Sequence, residues 1–586
     1  MDISYDLVVV GGGLSGLCCA IASARNGCRT ALIHNRPVLG GNASSEVRMH
    51  VCGAAGLYCS RPNARETGII EELLLENKRR NPTHSFSIFD SILWEKAKAE
   101  PALDLYLNCH VFDVHSFENT IQYVEAFQLT TEKRFRFLAP LFADTTGDAF
   151  LAAKAGAAIL RGTESAQDYG EEAAPSNASA YTMGNSLMFQ AIDRGYRVPF
   201  VAPSWANHYS EEDLIHRGHS EIESGYWWIE LGGKQDTISD FEAIRDDLLK
   251  VVYGVWDHLK NGGDHGADNY DLVWVQALPG KRESRRVLGD YLLTANDLLA
   301  STRFQDAVAY GGWPIDLHPP CGISGTETDA NRFYDLADVY QIPYRCLYAS
   351  NVRNLFVGGR AFSLTHAAFA SARVMGTTAV VGQAIGTAAA ICKKHSLSPR
   401  DLYEQEDRLF DLQQALLRDD CYIPFAANED PLDLARKATV SVSSGDAARL
   451  VDGVSRPTQT GDHVWESDPG DELPVIEFKL KNTVSLGRVI LKFDSDLNAD
   501  LMISIDPVCI RRHAKAPPPS LVSDFTVELI GNGVPAARKV VKGSCIRCAV
   551  VSFPAVPCDT VRITLEKTWG ASTFRMFETR MYAADA

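Results

Sequence analysis

Three histidines stand where a proton could be taken from a hydroxyl group: His318 in WPIDLHPP, His366 in SLTHAAF, and His50 just after Arg48. Imidazole titrates near neutral pH, so a histidine held in one orientation can accept a hydroxyl proton as a hydride leaves the adjoining carbon. His318 is the first candidate for the base, because strand-like WPIDL precedes it, two prolines follow it, and the chain is stiff on both sides. His366 lies just ahead of a long run of small residues and suits a supporting contact, and His50 is the third choice. Cys545 and Cys548 form a lone CxxC with no second pair at metal-ligand spacing, and read as two plain thiols.

Such chemistry needs a cofactor, and the first thirty-odd residues are patterned to hold one. The apolar run Tyr5 to Val10 predicts a buried parallel strand, GGGLSG follows at Gly11 to Gly16, small residues from Leu17 to Asn26 predict a helix ended by Gly27, and Arg29 to Ile33 supplies a second strand. In this βαβ context Gly11 makes the turn, Gly13 lets backbone approach a pyrophosphate, and Gly16 lets helix and strand pack closely. Leu14 and Ser15 open a helix whose N-terminus would face the phosphates. His34 and Asn35 occupy the place where an acid usually bonds a ribose hydroxyl, and Arg36 beside them would suit a 2'-phosphate, so this position leaves FAD and NADP both open.

The segments that follow narrow the choice. Arg36 to Glu46, RPVLGGNASSE, resembles the stretch after the second strand in FAD-dependent oxidoreductases, which implies that Gly40, Gly41 and Asn42 line the pyrophosphate and ribityl chain. An extended segment from Leu103 to Val114, with Val111 as an expected cofactor contact, leads to three predicted strands at Ile121 to Leu129, Arg134 to Leu138 and Leu141 to Asp144. A β-meander ending in ADTTGD resembles the second FAD signature of glutathione-reductase-like flavoproteins, carried by Asp144, Thr145, Thr146 and Gly147. A strand at Leu355 to Val357 ends at Gly358 and Gly359, and a small-residue helix is predicted from about Val374 to Lys393. In flavoproteins of this class such a helix points at the flavin pyrimidine edge, with Arg360, Arg373, Val374 and Met375 as the expected contacts.

Five ordered motifs, at Leu39 to His50, Arg65 to Leu73, Pro279 to Arg286, Trp313 to His318 and Gly359 to Met375, make residues 1–425 resemble the bacterial FAD-dependent oxidoreductases. The resemblance implies bound FAD and oxidation, by hydride transfer to flavin, of a hydroxyl-bearing carbon in a sugar or related small molecule. One alternative is a flavin disulfide reductase using Cys52 and Cys59, although their spacing is wider than in that class and no second GxGxxG exists to bind NADPH. Another is a glycan-binding or structural protein with a non-catalytic flavin fold.

The expected architecture is an α/β FAD-binding domain from 1–155 and 346–425 with a parallel sheet and a β-meander crossover, an α+β substrate domain at 156–345, and a C-terminal β-sandwich at 426–586. In the middle region Gly225 to Gly233 and Asp271 to Gly280 are predicted strands whose Trp227, Trp228 and Trp274 are core or substrate contacts, and KRESRR at Lys281 to Arg286 reads as a salt-bridged helix start or an anion holder. After Pro424, short alternating segments predict the sandwich, which resembles a discoidin-like or galactose-binding-like module with Asp452, Gly453 and Trp465 near its opening pattern. Every flavin motif precedes Pro424, so truncation there is expected to leave FAD bound. The net charge of -17 argues against nucleic acid or an anionic membrane as partner, no apolar run reads as membrane-spanning, and a small molecule or carbohydrate fits better. The start MDISYDLVVVGGG has no basic n-region, so a cytoplasmic protein with its 14 cysteines reduced is expected; the oligomeric state is left open.

Overall fold

The computed structural model describes residues 1–56 and 61–584. LVVV at Leu7–Val10 and TALI at Thr30–Ile33 are buried at every position and pair in parallel, as near-continuous apolar strands do when both sheet faces are covered. They are the centre of a five-stranded parallel sheet ordered Leu355–Val357, Leu141–Asp144, Leu7–Val10, Thr30–Ile33 and Leu103–Tyr106. The single extended segment expected from 103 to 114 is two strands, Leu103–Tyr106 and Cys109–Phe117. The second of these begins the meander completed by Thr120–Gln128 and Lys133–Leu138. Val8, Val10, Ala31 and Ile33 share one core with Val111, Val124, Ala126 and Phe137, so the meander covers one face of the sheet.

Two helices, Leu14–Arg25 and Met375–His395, lie against each other elsewhere in the same layered region. Their closeness depends on glycine: a Cβ at Gly382 would overlap the Ser15 carbonyl and one at Gly386 the Cys19 carbonyl. Contrary to the sequence reading, Met375–His395 is long and apolar enough to span a bilayer, but 89% of its apolar window is buried inside the protein, where packing accounts for its composition.

Aromatic pattern misleads in the middle region. Of the predicted strand at 225–233 only Glu230–Leu231 is extended; Tyr226 and Trp228 instead stack 4.8 Å apart in a core built on the helix Phe241–Asn261. Of the predicted strand Asp271 to Gly280 the first half is extended, in Tyr270–Val275, while 276–279 are not. KRESRR forms no helix, because it is split between the short strands Gly280–Lys281 and Arg285–Val287, although its ion pairs are present.

The structure has two compact units where the sequence suggests three regions. The first comprises the described parts of 1–59, 83–409 and 502–512, so the flavin-type and middle regions fold together. The second comprises the described parts of 60–82, 410–501 and 513–586. Its seven-stranded antiparallel sheet contains two long strands, Val475–Phe493 and Cys548–Thr568, with register shifts between Lys479 and Val484 and between Leu486 and Arg488. The helix Ile69–Arg80 belongs to this second unit: Arg65 pairs with Glu71 at 2.6 Å and donates to the carbonyls of Ser495, Asp496 and Ala499. Among the described residues no cysteine is in a disulfide; Cys59 lies outside the described residues.

Candidate functional site

A cavity of about 700 Å³ opens at the carboxyl ends of the parallel strands, where ligands of open α/β sheets bind. It is lined by Gly11, Gly13, Leu14, Ser15, His34, Asn35, Gly40, Gly41, Asn42, Val111, Thr145, Thr146, Gly147, Gly359, Arg360, Arg373 and Met375, all picked out in the sequence. Four others expected there hold it from behind or turn away. A Cβ at Gly16 would collide with the Gly11 carbonyl, and one at Gly358 would stand 2.8 Å from Ile385. Buried Asp144 organises the Thr-Gly turn, accepting hydrogen bonds from Thr146 N at 3.0 Å, Thr146 Oγ1 at 2.7 Å and Ala152 N at 2.8 Å. Arg36 is turned away in a two-pronged pair with Glu46, at 2.9 and 2.6 Å, which removes it as a 2'-phosphate ligand. Val374 lines an adjoining cavity instead. Gly12, His110, Asp148, Lys154 and Thr378 also line the main cavity; only Gly12 had a signal, as part of the glycine run.

The residues fit a dinucleotide. Gly13 has φ -65°, which any residue tolerates, and a Cβ there would meet no atom within 4 Å, so its lack of a side chain keeps the cavity floor clear. Gly12 N donates to His34 Nδ1 at 3.0 Å, fixing the ring proton on Nε2. Burial, and then Arg36, lowers the His34 pKa to about 4, so a neutral donor stands in for the customary acid. Arg360 and Arg373 each keep a buried Nε without a hydrogen-bond partner, and both line this cavity and its neighbour.

That neighbour, about 140 Å³, shares Asn42, Arg360, Arg373 and Met375 with the first and adds His50, Trp227, Trp313, Asp316 and His318 among its walls. Backbone bonds pin the chain on both sides of His50: Met49 N donates to Asn42 O at 2.9 Å, Val51 N to Ile503 O at 3.2 Å, and Gly376 N to Cys52 O at 2.7 Å. Arg48, two residues earlier, takes φ 58°, a strained left-handed conformation for a side chain of its size, and lays its guanidinium 4.1 Å from the Trp274 ring centroid. The His50 ring has no hydrogen-bond partner among the described residues, and burial lowers its pKa while Asp506 opposes the shift.

His318 is differently placed. Its Nδ1 lies 2.7 Å from Glu230 and its Nε2 3.1 Å from Asp316, so both ring nitrogens are committed to carboxylates. Burial would raise the pKa of both acids, but His318 with Arg373 holds Asp316 well below the usual carboxylate range, and Arg282 with His318 keeps Glu230 below its ordinary value. With Arg373 Nη2 also 3.2 Å from Nε2, both ring nitrogens already have protein partners and neither is open to a substrate hydroxyl. His366 lines neither of these cavities; it starts the helix His366–Ala372, pairs with Glu283 at 2.9 Å and faces a separate outer cleft that also reaches His318. Stiff backbone around His318 is a real signal, but sequence spacing cannot show which ring atoms are already occupied. Trp227 lines the small cavity, and Trp228 and Trp274 do not.

A family model described as FAD dependent oxidoreductase matches residues 6–416. One subunit of the anaerobic glycerol-3-phosphate dehydrogenase of Actinobacillus pleuropneumoniae, in serotype 5b (strain L20) and serotype 3 (strain JL03), is 32% identical over 111 residues, covering 19% of this chain. The match spans about a quarter, 24%, of the length of those relatives. Among solved structures, a lectinolysin lectin domain complexed with Lewis b (His 62 mutant) aligns with 26% of this chain and 97% of its own at 19% identity and TM-score 0.20. A Streptococcus pneumoniae fucose binding module aligns with 27% and 99% at 19% identity, also with TM-score 0.20.

Proposed function

The chain belongs to the FAD-dependent oxidoreductase family, and from that premise we propose that it oxidises a hydroxyl-bearing carbon of a sugar or related small polar molecule, with His50 as the general base. The observation that carries this reading is the small cavity beside the nucleotide cavity, into which an unengaged imidazole with a lowered pKa is set. FAD, when bound, supplies a ring that accepts a hydride. Gly11 to Ser15 and the turn at Thr145 to Gly147 would hold its phosphates and ribityl chain, and the N-terminus of Met375–His395, capped by no side chain, would lie at the inner end of the cavity. His50 Nε2 or Nδ1 takes the hydroxyl proton, Arg373 and Asn331 orient the substrate oxygens, and Trp227 and Trp313 exclude water. His318 acts as a positioning residue that keeps Asp316 and Glu230 ionised and fixed. The name of the dehydrogenase relatives specifies glycerol 3-phosphate, a small hydroxylated molecule, which agrees with this substrate class.

The second unit we read as a discoidin-like β-sandwich, a reading supported by its antiparallel strands and by Trp465, buried and donating to Ser444 O at 2.9 Å. The test of the catalytic proposal is an anaerobic screen of the purified full-length protein against sugars, polyols, hydroxy acids and dithiols. Bleaching of the flavin band by a hydroxylated compound is expected; bleaching by dithiols alone would replace the proposal with thiol chemistry.

A further inference from the structure

Away from the flavin cavities, three histidines and a glutamate converge in a way the oxidoreductase chemistry does not use. Glu211, His219, His258 and His265 each offer a ligand atom, and all four atoms lie within 4.8 Å of one another. Glu211 Oε1 is 3.4 Å from His258 Nε2 and 3.2 Å from His265 Nε2, and its Oε2 is 3.6 Å from His219 Nε2. Zinc at about 2.05 Å from each of four tetrahedral ligands would set neighbouring ligand atoms roughly 3.3 Å apart, which these separations straddle.

The far sides of the rings point the same way. His219 Nδ1 lies 2.6 Å from Arg217 O and His258 Nδ1 lies 3.1 Å from Tyr209 O, so each donates its Nδ1 proton to a carbonyl and turns a bare Nε2 lone pair inward. That is the outer-shell arrangement that fixes the tautomer of metal-binding histidines. Nε2 of both His258 and His265 is buried without a hydrogen-bond partner. An unmetallated core would leave those nitrogens unsatisfied, at a cost that buried polar atoms seldom bear.

We propose that Glu211, His219, His258 and His265 form a structural zinc site that ties the irregular segment 194–229 to the end of the helix Phe241–Asn261. That segment, between the strands Phe189–Asp193 and Glu230–Leu231, contains no helix or strand of its own. Loops of such length need anchoring, and a four-ligand closed N3O site provides it without an open position for catalysis. The same segment delivers Trp227 to the small cavity, and Arg217 within it donates to the carbonyls of Gly322, Gly325 and Thr328 beyond His318. The metal therefore supports the wall of the active cavity from outside.

The test is metal analysis of the full-length flavoprotein by inductively coupled plasma mass spectrometry, followed by chelation and reloading with Co2+. About one zinc per chain is expected, with intense visible Co2+ bands of a tetrahedral site after reloading. A His219→Ala, His265→Ala double variant is expected to lose metal at least tenfold while keeping its flavin spectrum. Should that variant fail to fold, Glu211→Ala, whose side chain is 63% exposed, is expected to weaken Co2+ binding without disturbing the fold. A wild type that neither carries zinc nor takes up Co2+, or variants that retain both at full occupancy, would overturn the site.

Discussion

His50 and His318 differ in what their ring nitrogens already touch, and that difference decides their expected behaviour on substitution. His50→Asn removes the proposed base, whose ring is unengaged, so it is expected to keep the oxidised flavin spectrum and slow reduction by substrate on the order of a hundredfold or more in stopped flow. His318→Asn instead removes the hydrogen-bond partner of two buried carboxylates, Glu230 and Asp316, and is expected to lower the unfolding temperature, with a cost of about 3 kcal/mol. The His50 pKa is lowered by burial, so the imidazole is neutral at pH 7, as the proposed role needs. A profile of kcat/KM against pH is therefore expected to be level near neutrality and to fall on acidification, with its midpoint below the ordinary histidine range. His34 gives a separate signal in stability. Its folded pKa is about 4 against an ordinary value of 6.5, so the unfolded chain binds the extra proton between those values. The contribution is present above about pH 6.5 and lost as pH falls toward about 4, up to roughly 3 kcal/mol. Denaturant titrations at several pH values are expected to show that slope, and His34→Gln to flatten it.

At the scale of elements, the glycine pattern divides into positions that make room for a ligand and positions that make room for the fold. Gly13→Val places its side chain into open cavity without a backbone penalty, so the purified variant is expected to be folded by circular dichroism and colourless. Gly382→Val drives a side chain into the Ser15 carbonyl and is expected to abolish soluble expression. The parallel strands, the meander and the long small-residue helix were legible because buried apolar runs and turn glycines are local signals. The middle region was not: the aromatics of GYWWIELGG serve a core rather than a strand face, and no period distinguishes those uses. Likewise Arg36 reads as a phosphate ligand until Glu46, ten positions on, is seen folded back upon it.

The whole molecule departs furthest from the sequence reading, because the chain exchanges segments between its compact units. Residues 502–512 belong with the nucleotide-binding unit, where Asp506 helps line the cavity of His50, while the helix Ile69–Arg80 belongs with the C-terminal sheet. Composition changes near Pro424 mark where the strands begin but say nothing of segments that cross back. A fragment of residues 1–424 would lack Ile503 and Asp506 and would leave Glu71 without its Arg547 and Ser495 partners, so it is expected to be insoluble or flavin-free, as gel filtration and absorbance would show. The nucleotide cavity was nearly complete in the sequence; the ranking of His318, His366 and His50 was not, since only three-dimensional neighbours separate an unengaged ring from an engaged one. The most direct measurement of the catalytic account is anaerobic stopped-flow reduction of full-length wild type and His50→Asn by whichever hydroxylated compound bleaches the wild type, with dithionite as control. If His50 is the base, substrate reduction slows a hundredfold or more in the variant while dithionite reduction is unchanged; equal rates with substrate in the two proteins would contradict that role.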